Sequence, residues 1–478
     1  MKKSSICLWA GLLWSLSGCG ESVSHKGYVN QADKTLFKLI HTNNLKGDPV
    51  GSKKLPSIDD NKSQLGMKLF FTKSLGGMKD SACVTCHHPM LGGGDRLSLP
   101  IGVFSDDPDI LGKGRSKTVD NAMATVPRNA PSTYNVGLWK RSVFWDGRVE
   151  SVAKDGKIIG IRTPDTPIGV VDVNAGKSLA VAQARFPVTS REEMRGDFEK
   201  DHNRTQARTH LAQRLNDSSA VDYIANTWQD EFDAVYGPSS VNFSNIVDAI
   251  GAYENSQVFV KNSWFDYIKG DINAISESAK RGAKLFYSSY ADGGMNCVSC
   301  HSGDFFSDEN FHVMAVPQVG FGKNNNDDDL GRYNVTHELT QKYAFRTPTL
   351  LNVEMTGPWG HDGAYTTLEA VVRHMINPEQ AIEEYDVSLL DTNVKTDHTQ
   401  ENTIKALAQL HSNRAIGINK HQSMHATDKQ IQDIVAFLKT LTDPCLKDRT
   451  CIGKWIPPVS DGPDGLQLNA KDQNGNML

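Results

Sequence analysis

Two five-residue segments, Cys83-Val84-Thr85-Cys86-His87 and Cys297-Val298-Ser299-Cys300-His301, share the pattern Cys-x-x-Cys-His. Two thiols three positions apart lie on one helical turn, and each can form a thioether to a porphyrin vinyl group. The histidine that follows turns its imidazole toward the iron from the same side. The pattern is the attachment motif of c-type haem, and its duplication implies two covalently bound haem c groups, with His87 and His301 as iron ligands. A redox-active cysteine pair or half of a zinc site explains neither the trailing histidine nor the repeat. Each histidine fills one axial position, so the chemistry turns on the opposite face. A strong second ligand there favours electron transfer, and a vacant position permits reaction.

Residues 1–18 carry Lys2 and Lys3 and an apolar run from Ile6 to Leu16, and they lead into Leu16-Ser17-Gly18-Cys19. That is the layout of a signal peptide, and the run is too short for the roughly 20 residues of a membrane span. Its end resembles the bacterial lipoprotein signal, which makes Cys19 the expected lipidation site and a lipid-anchored periplasmic protein of the outer membrane the expected product. Disulfides persist in an exported chain. Cys445 and Cys451, in a polar stretch with no histidine nearby, read as a small structural loop closed by a disulfide. The chain has 478 residues, 38% hydrophobic and 22% charged, with a net charge of −5 from 51 basic and 56 acidic side chains. Mean hydropathy is −0.43. These values exclude a polytopic membrane protein and a largely disordered chain. No basic stripe supports a nucleic-acid partner, and membrane contact is expected only through the lipid.

The elements that must position the two motifs repeat as well. Gly66-Met67-Lys68-Leu69-Phe70-Phe71 precedes the first motif, as Gly282-Ala283-Lys284-Leu285-Phe286-Tyr287 precedes the second. Downstream, Arg128-Asn129-Ala130-Pro131 answers Arg346-Thr347-Pro348, and Asp146-Gly147 answers Asp362-Gly363. This is a tandem duplication. Apolar residues at helical spacing predict helices within 206–236, 243–265, 276–288, 367–376 and 427–441, with capping boxes at Thr366/Glu369 and Thr427/Gln430. Long Gly-, Asp- and Pro-rich stretches between 89 and 180 read as loops. The expected fold is mainly α, two tandem cytochrome c-like haem domains with long loops and few short strands. The expected divisions are a signal peptide (1–18), a polar tether (19–55), an N-terminal domain (56–268), a C-terminal domain (269–445) and a polar tail (446–478).

The stretch from about Leu65 to Thr442 resembles the bacterial di-haem cytochrome c peroxidase family, which includes the MauG-type enzymes that oxidise a protein substrate. The resemblance rests on Leu69-Phe70-Phe71, on the first haem motif followed by Gly92-Gly93-Gly94-Asp95, and on Arg128-Asn129-Ala130-Pro131. It continues through Phe144-Trp145-Asp146-Gly147-Arg148, the second haem motif, Gly331-Arg332, Phe345-Arg346-Thr347-Pro348 and His361-Asp362-Gly363. It implies peroxidatic chemistry at the N-terminal haem and electron entry at the C-terminal haem. The reaction would be reduction of hydrogen peroxide to water, with a small cytochrome c or similar periplasmic carrier as donor. The other readings are a MauG-like oxidase of a protein or organic substrate and a non-catalytic electron carrier.

The resemblance also carries individual residues. The second axial ligand of the C-terminal haem falls at Met375, methionine in the peroxidases and tyrosine in the MauG type, with His374, Met314 and Met355 as other candidates. The removable histidine of many di-haem peroxidases is matched by Val103, which implies an open N-terminal site. Glu193 matches the acid/base group, with Gln183 and Pro187 beside it. Its plainer reading is one of the surface acids of Arg191–Arg195. Trp145 matches the tryptophan between the haems. Asn129, with the carbonyls of Thr356 and Pro358, matches a calcium site. The run Asn324–Asp329 resembles a calcium loop only in composition, and such runs are more often solvated surface.

Overall fold

The computed structural model describes residues 30–478 apart from 120, 121, 221 and 392. The expected signal peptide and the Cys19 lipidation site lie outside the described residues. In chain order the first half contains α1 (Gln31–Thr42), α2 (Asn61–Phe71), the single turn α3 (Cys83–Cys86), α4 (Leu179–Ala184), α5 (Arg204–Asn216), α6 (Trp228–Tyr236), α7 (Phe243–Ser256) and α8 (Ser263–Ile268). The second contains α9 (Glu277–Tyr287), α10 (Tyr333–Thr336), α11 (Leu368–Ile376), α12 (Pro378–Glu383), α13 (Thr399–Ala415), α14 (Asp428–Lys439) and α15 (Arg449–Ile452). The strands are short, as expected. β1 (Ser142–Val143), β2 (Val149–Lys154) and β3 (Lys157–Arg162) form one antiparallel sheet in that order, and β4 (Phe311–Val313) pairs antiparallel with β5 (Ala344–Arg346).

The duplicated Gly-x-Lys-Leu-Phe segments have a physical cause. In α2, a Cβ at Gly66 would lie 1.9 Å from the carbonyl oxygen of Ala249 in α7, and in α9 a Cβ at Gly282 would lie 1.9 Å from that of Asp433 in α14. Only glycine lets each helix pair cross so closely. One turn on, Phe70 packs against Tyr253 with centroids 4.9 Å apart, and Phe286 packs against Phe437 at 5.2 Å. Each crossing seeds one of the two largest apolar cores.

Helix ends follow side-chain caps. Ser276 accepts from Ala279 N at the start of α9, and Thr427 and Gln430 form the expected capping box on α14. On α11 the cap is Thr367, accepting from Ala370 N, one residue later than the box expected at Thr366/Glu369. The windows 206–236 and 243–265 each divide into two helices. Between α7 and α8, Asn262 caps a fresh start by accepting from Phe265 N.

The two ends of the described chain depart from the sequence reading. Residues within the expected polar tether (19–55) form α1, whose Leu36 and Ile40 join the core of the second haem motif. Asp33 of α1 is fully buried, accepting from the Tyr267 hydroxyl at 2.8 Å and pairing with Lys280 at 3.0 Å. The expected polar tail (446–478) packs on the core of the first motif. Leu468 and Ala470 are buried there, and backbone bonds run from Leu468 N to Phe71 O and from Lys73 N to Leu466 O. Each segment finds its groove on the opposite half of the chain.

Asp464 fixes the tail. Its Oδ2 accepts from Thr72 Oγ1 at 2.9 Å and from the Trp228 indole N–H at 2.7 Å, in a buried setting. Bonds to a charged acceptor are worth about 1.5–3 kcal/mol each. Asp464→Ala is expected to lower the unfolding free energy of the haem-loaded protein by roughly 3 kcal/mol in denaturant titration. A change below about 1 kcal/mol would mean that the tail is not anchored there.

Candidate active site

Each haem motif opens onto its own cavity. The first, of about 90 Å³, is lined by Cys83, Cys86 and His87; the second, of about 260 Å³, by Cys297, Cys300 and His301. His87 Nδ1 lies 3.1 Å from Gly93 O, and His301 Nδ1 lies 3.0 Å from Phe306 O. An Nδ1–H held by a carbonyl fixes the tautomer and leaves Nε2 with its lone pair free for a metal. The carbonyls of Pro131 and Pro348, matched positions of the repeat, act on the same two rings. Burial pushes the Cys297 thiol up to about 12, and the Cys83 thiol also rises, so neither motif is built as a low-pKa redox pair. The paired thiols, the oriented imidazole and an adjoining cavity fit haem c in both halves.

The larger cavity also contains Met375 and Met314 among apolar residues of α9, α11 and α14. His374 is occupied on both ring nitrogens, with Nδ1 2.7 Å from the Tyr365 hydroxyl and Nε2 2.8 Å from Met314 O. It has no free nitrogen to offer an iron, whereas the Met375 side chain faces the cavity. Met355 lies outside it, in a separate small cluster. Asn129, Thr356 and Pro358 line the same cavity, and the Asn129 amide nitrogen donates to Leu97 O and Ser98 O at 3.0 and 3.1 Å.

The smaller cavity gathers residues that the sequence scatters. Glu193, Gln183, Pro187 and Trp145 all line it, with Arg148, Glu254 and Lys323. Gln183 is on α4, and Pro187 begins the short turn that follows. Glu193 sits in the single π-helical turn Arg191–Arg195, which buries Met194 in the core and turns the Glu193 carboxyl to the cavity. Glu193 is therefore not one of the surface acids around it. Burial raises its pKa, against the pull of the positive charges of Arg148 and Lys323. The charge of Arg148, followed by desolvation, pushes Lys323 down to about 8, although its side chain is open to the cavity. Burial also takes Glu254 up to about 8.

Among the described residues, His87 is the only histidine lining this cavity. Val103 is buried outside the lining, its N–H 3.4 Å from Glu192 O, so the loop that carries it backs the Glu193 turn. Trp145, Asn129 and Pro131 line both cavities, and the Trp145 indole N–H donates to Asn129 O at 2.9 Å. Trp145 thus lies in the wall between the two sites.

A buried charge network braces that wall. Arg128 makes two bonds to Asp329, at 2.6 and 2.8 Å, and a third contact to Asp146 at 2.6 Å. Burial of the Arg128 cation is outweighed by these two carboxylates, which it holds below the usual carboxylate range. In the run Asn324–Asp329, Asn325 and Asn326 are exposed, whereas the three aspartates are engaged by other parts of the fold. Asp329 is buried on Arg128, Asp327 pairs with Lys395 at 2.6 Å, and Asp328 accepts from the Tyr343 hydroxyl at 3.0 Å. This anchoring delivers Lys323 to the first cavity. Sequence reasoning missed Lys323 and Glu254: one opens a polar run far along the chain from Glu193, and the other reads as an ordinary helical acid. The Cys445–Cys451 pair is joined as a disulfide.

The fold is similar to that of the di-haem c-type peroxidases. Residues 60–273 match the family model described as di-haem cytochrome c peroxidase, the family that the motifs implied. The chain is 25% identical over 366 residues to the methylamine utilization protein MauG of Methylorubrum extorquens, covering 77% of this chain and 82% of that one. It is 26% identical over 346 residues to the cytochrome c551 peroxidase of Pseudomonas aeruginosa, covering 72% and 78%. Among solved structures, the di-haem peroxidase BthA of Burkholderia thailandensis superimposes with a TM-score of 0.53 at 19% identity, over 88% of this chain and 92% of that one. A MauG-like protein associated with microbial copper homeostasis gives the same TM-score at 18% identity, over 84% and 97%. The family implies two haem c groups, in keeping with the two cavities. No described helix is long and apolar enough to cross a membrane.

Arg128→Met removes the cation shared by two buried aspartates. Breaking a buried pair in this way costs about 3–5 kcal/mol, and denaturant unfolding of the haem-loaded protein is expected to show a loss of that size. A near-neutral result would mean that the network contributes little to the wall between the cavities.

Proposed function

We propose that the protein is an oxidoreductase that reduces hydrogen peroxide to water in the cavity of His87, with electrons delivered by a small cytochrome c or similar carrier through the cavity of His301. The observation that carries the reading is the convergence of Glu193, Gln183 and Pro187 on the first haem motif, in a cavity with no second histidine among the described residues. His87 and His301 would hold the irons through Nε2, the four motif cysteines would hold the porphyrins, and Met375 would supply the second ligand in the larger site. When bound, haem c supplies an iron centre that can take up a peroxide oxygen and exchange single electrons. Glu193 accepts the proton from the near oxygen of peroxide and passes it to the far oxygen, which leaves as water. Two electrons and two further protons convert the remaining oxygen to a second water. Gln183 and Pro187 keep the acid facing the reacting oxygens, and Arg148 and Lys323 favour its ionised form. Trp145, in the wall common to both cavities, is the proposed electron relay, and Asn129, Thr356 and Pro358 the proposed calcium ligands. Location in the periplasm with a lipid on Cys19 completes the reading.

A second reading is favoured by a specific observation. That no further histidine lines the first site among the described residues, with Val103 at the matching place, suits a MauG-like oxidase of a protein or organic substrate, whereas Met375 favours the peroxidase.

The reading is tested by rapid mixing of the fully ferric haem-loaded protein with hydrogen peroxide, with and without one-electron prereduction, followed through the haem absorbance. Fast reaction of the ferric form, quenched by reduced cytochrome c, is expected. Quenching only by an organic or protein substrate would favour the MauG-like reading, and absence of reaction in both states would leave an electron carrier. Glu193→Gln is expected to slow the reaction with peroxide by about 10²–10⁴. Because Glu193 must be ionised to accept a proton and its pKa is raised, the rate should climb as pH rises through a value above the usual carboxylate range. Lys323→Met, which removes a cation beside that carboxyl, should move this limb to higher pH, and an unmoved limb would exclude Lys323 from the site's electrostatics.

A further inference from the structure

A cluster of metal-ligating side chains lies outside both cavities. Glu199 and His202 stand on the loop that follows the Glu193 turn, and His210 projects from α5. His210 Nδ1 is 2.6 Å from Glu199 Oε1, and His202 Nδ1 contacts Glu199 Oε2. The imidazoles stand nearly at right angles, with centroids 5.5 Å apart, and the three potential ligand atoms all lie within 4.8 Å of one another. Two ligand atoms on one tetrahedral zinc ion lie roughly 3.4 Å apart, given metal–ligand distances near 2.1 Å. Small side-chain adjustments therefore suffice to close the set on an ion. The carboxylate is the least exposed member, at 20%, whereas His202 and His210 are 44% and 37% exposed, so an ion can enter from solvent and keep water on its outer side.

We propose that Glu199, His202 and His210 form a site for a divalent transition metal of the zinc or copper type. Two imidazoles and one carboxylate suit such borderline ions, and calcium or magnesium, which prefer all-oxygen sets, are not expected to compete. The only other described trio of this kind, Cys300, Asp308 and His312, includes a haem-attachment cysteine and belongs to the second motif. The Glu199 site has a mechanical context. Arg195 of the Glu193 turn donates through Nη2 to His202 O at 2.8 Å and to Glu199 O, and through Nε to Phe198 O at 2.9 Å. Gly77 N donates to Met194 O at 2.7 Å. An ion joining Glu199 and His202 to α5 therefore ties down the loop that continues the Glu193 turn.

The test uses the haem-loaded protein, treated with a chelator, titrated with Zn²⁺ and desalted before metal analysis. One zinc per two irons is expected. His202→Gln and His210→Gln should each weaken zinc by at least the 10- to 100-fold that loss of even an outer partner costs, with haem absorbance and unfolding midpoint unchanged. His411→Gln, which removes a histidine paired with Glu379 elsewhere, should leave zinc binding intact. Cu²⁺ added to the unmutated protein should give an electron paramagnetic resonance spectrum with coupling to two nitrogens, a reading that does not depend on any variant folding. Failure to retain zinc, retention undiminished in the His202/His210 double variant, or a copper spectrum without imidazole coupling would each overturn the proposal. The trio would then be a carboxylate held between two imidazole donors.

Discussion

The close crossing of two helix pairs at glycine is the constraint on which the rest of this structure depends. Gly66 and Gly282 bring α2 onto α7 and α9 onto α14 to backbone contact, a separation that any Cβ would prevent. From each crossing the chain proceeds through an aromatic layer to a Cys-x-x-Cys-His turn, then to a proline carbonyl on the haem histidine. The placement of the two motifs follows from these crossings, because each motif turn comes after α2 or α9 by a short connection. The same geometry built twice yields two unlike sites, and the difference lies in what the intervening loops supply: a methionine and apolar helix faces in one half, a carboxyl with cations in the other.

Between the halves, a buried charge network stands beside the apolar packing. Arg128, Asp146 and Asp329 bury three charges against one another where the cavities nearly meet. Such an arrangement is a poor source of net stability, since desolvation consumes much of the attraction. Its value is geometric: planar, bidentate bonds fix the angle between Trp145 and the segment that brings Lys323 to Glu193. One of the two cations acting on the acid thus comes from the opposite half of the chain.

Much of this was legible in the sequence because it rests on local spacing. The haem motifs, the duplicated Gly-x-Lys-Leu-Phe segments, the caps at Ser276 and Thr427 and the loop stretches between 89 and 180 that flank the β1–β3 sheet each follow from residues within a few positions of one another. The resemblance to a known family carried Glu193, Gln183, Pro187 and Trp145, which the fold does bring to one cavity. Lys323 was invisible, since its place depends on Asp329 reaching Arg128 across the fold. The window 243–265 divides in two because Asn262 caps a fresh helix start within it. The tether and tail depart from the sequence reading because their apolar residues are covered only by grooves on the distant half of the chain.

Those two segments cross over. Residues near the start of the described chain complete the core around the second haem motif, and residues near its end complete the core around the first. A growing chain therefore exposes Cys83 and Cys86 long before Leu468 and Ala470 can close the first core over them. Neither half reaches its final packing until the whole chain is present. The interval is a window in which the first motif stays accessible to the machinery that joins thiol to vinyl. Once the tail docks, each half is fastened by a segment of the other, and local opening in one is resisted by the fold of both.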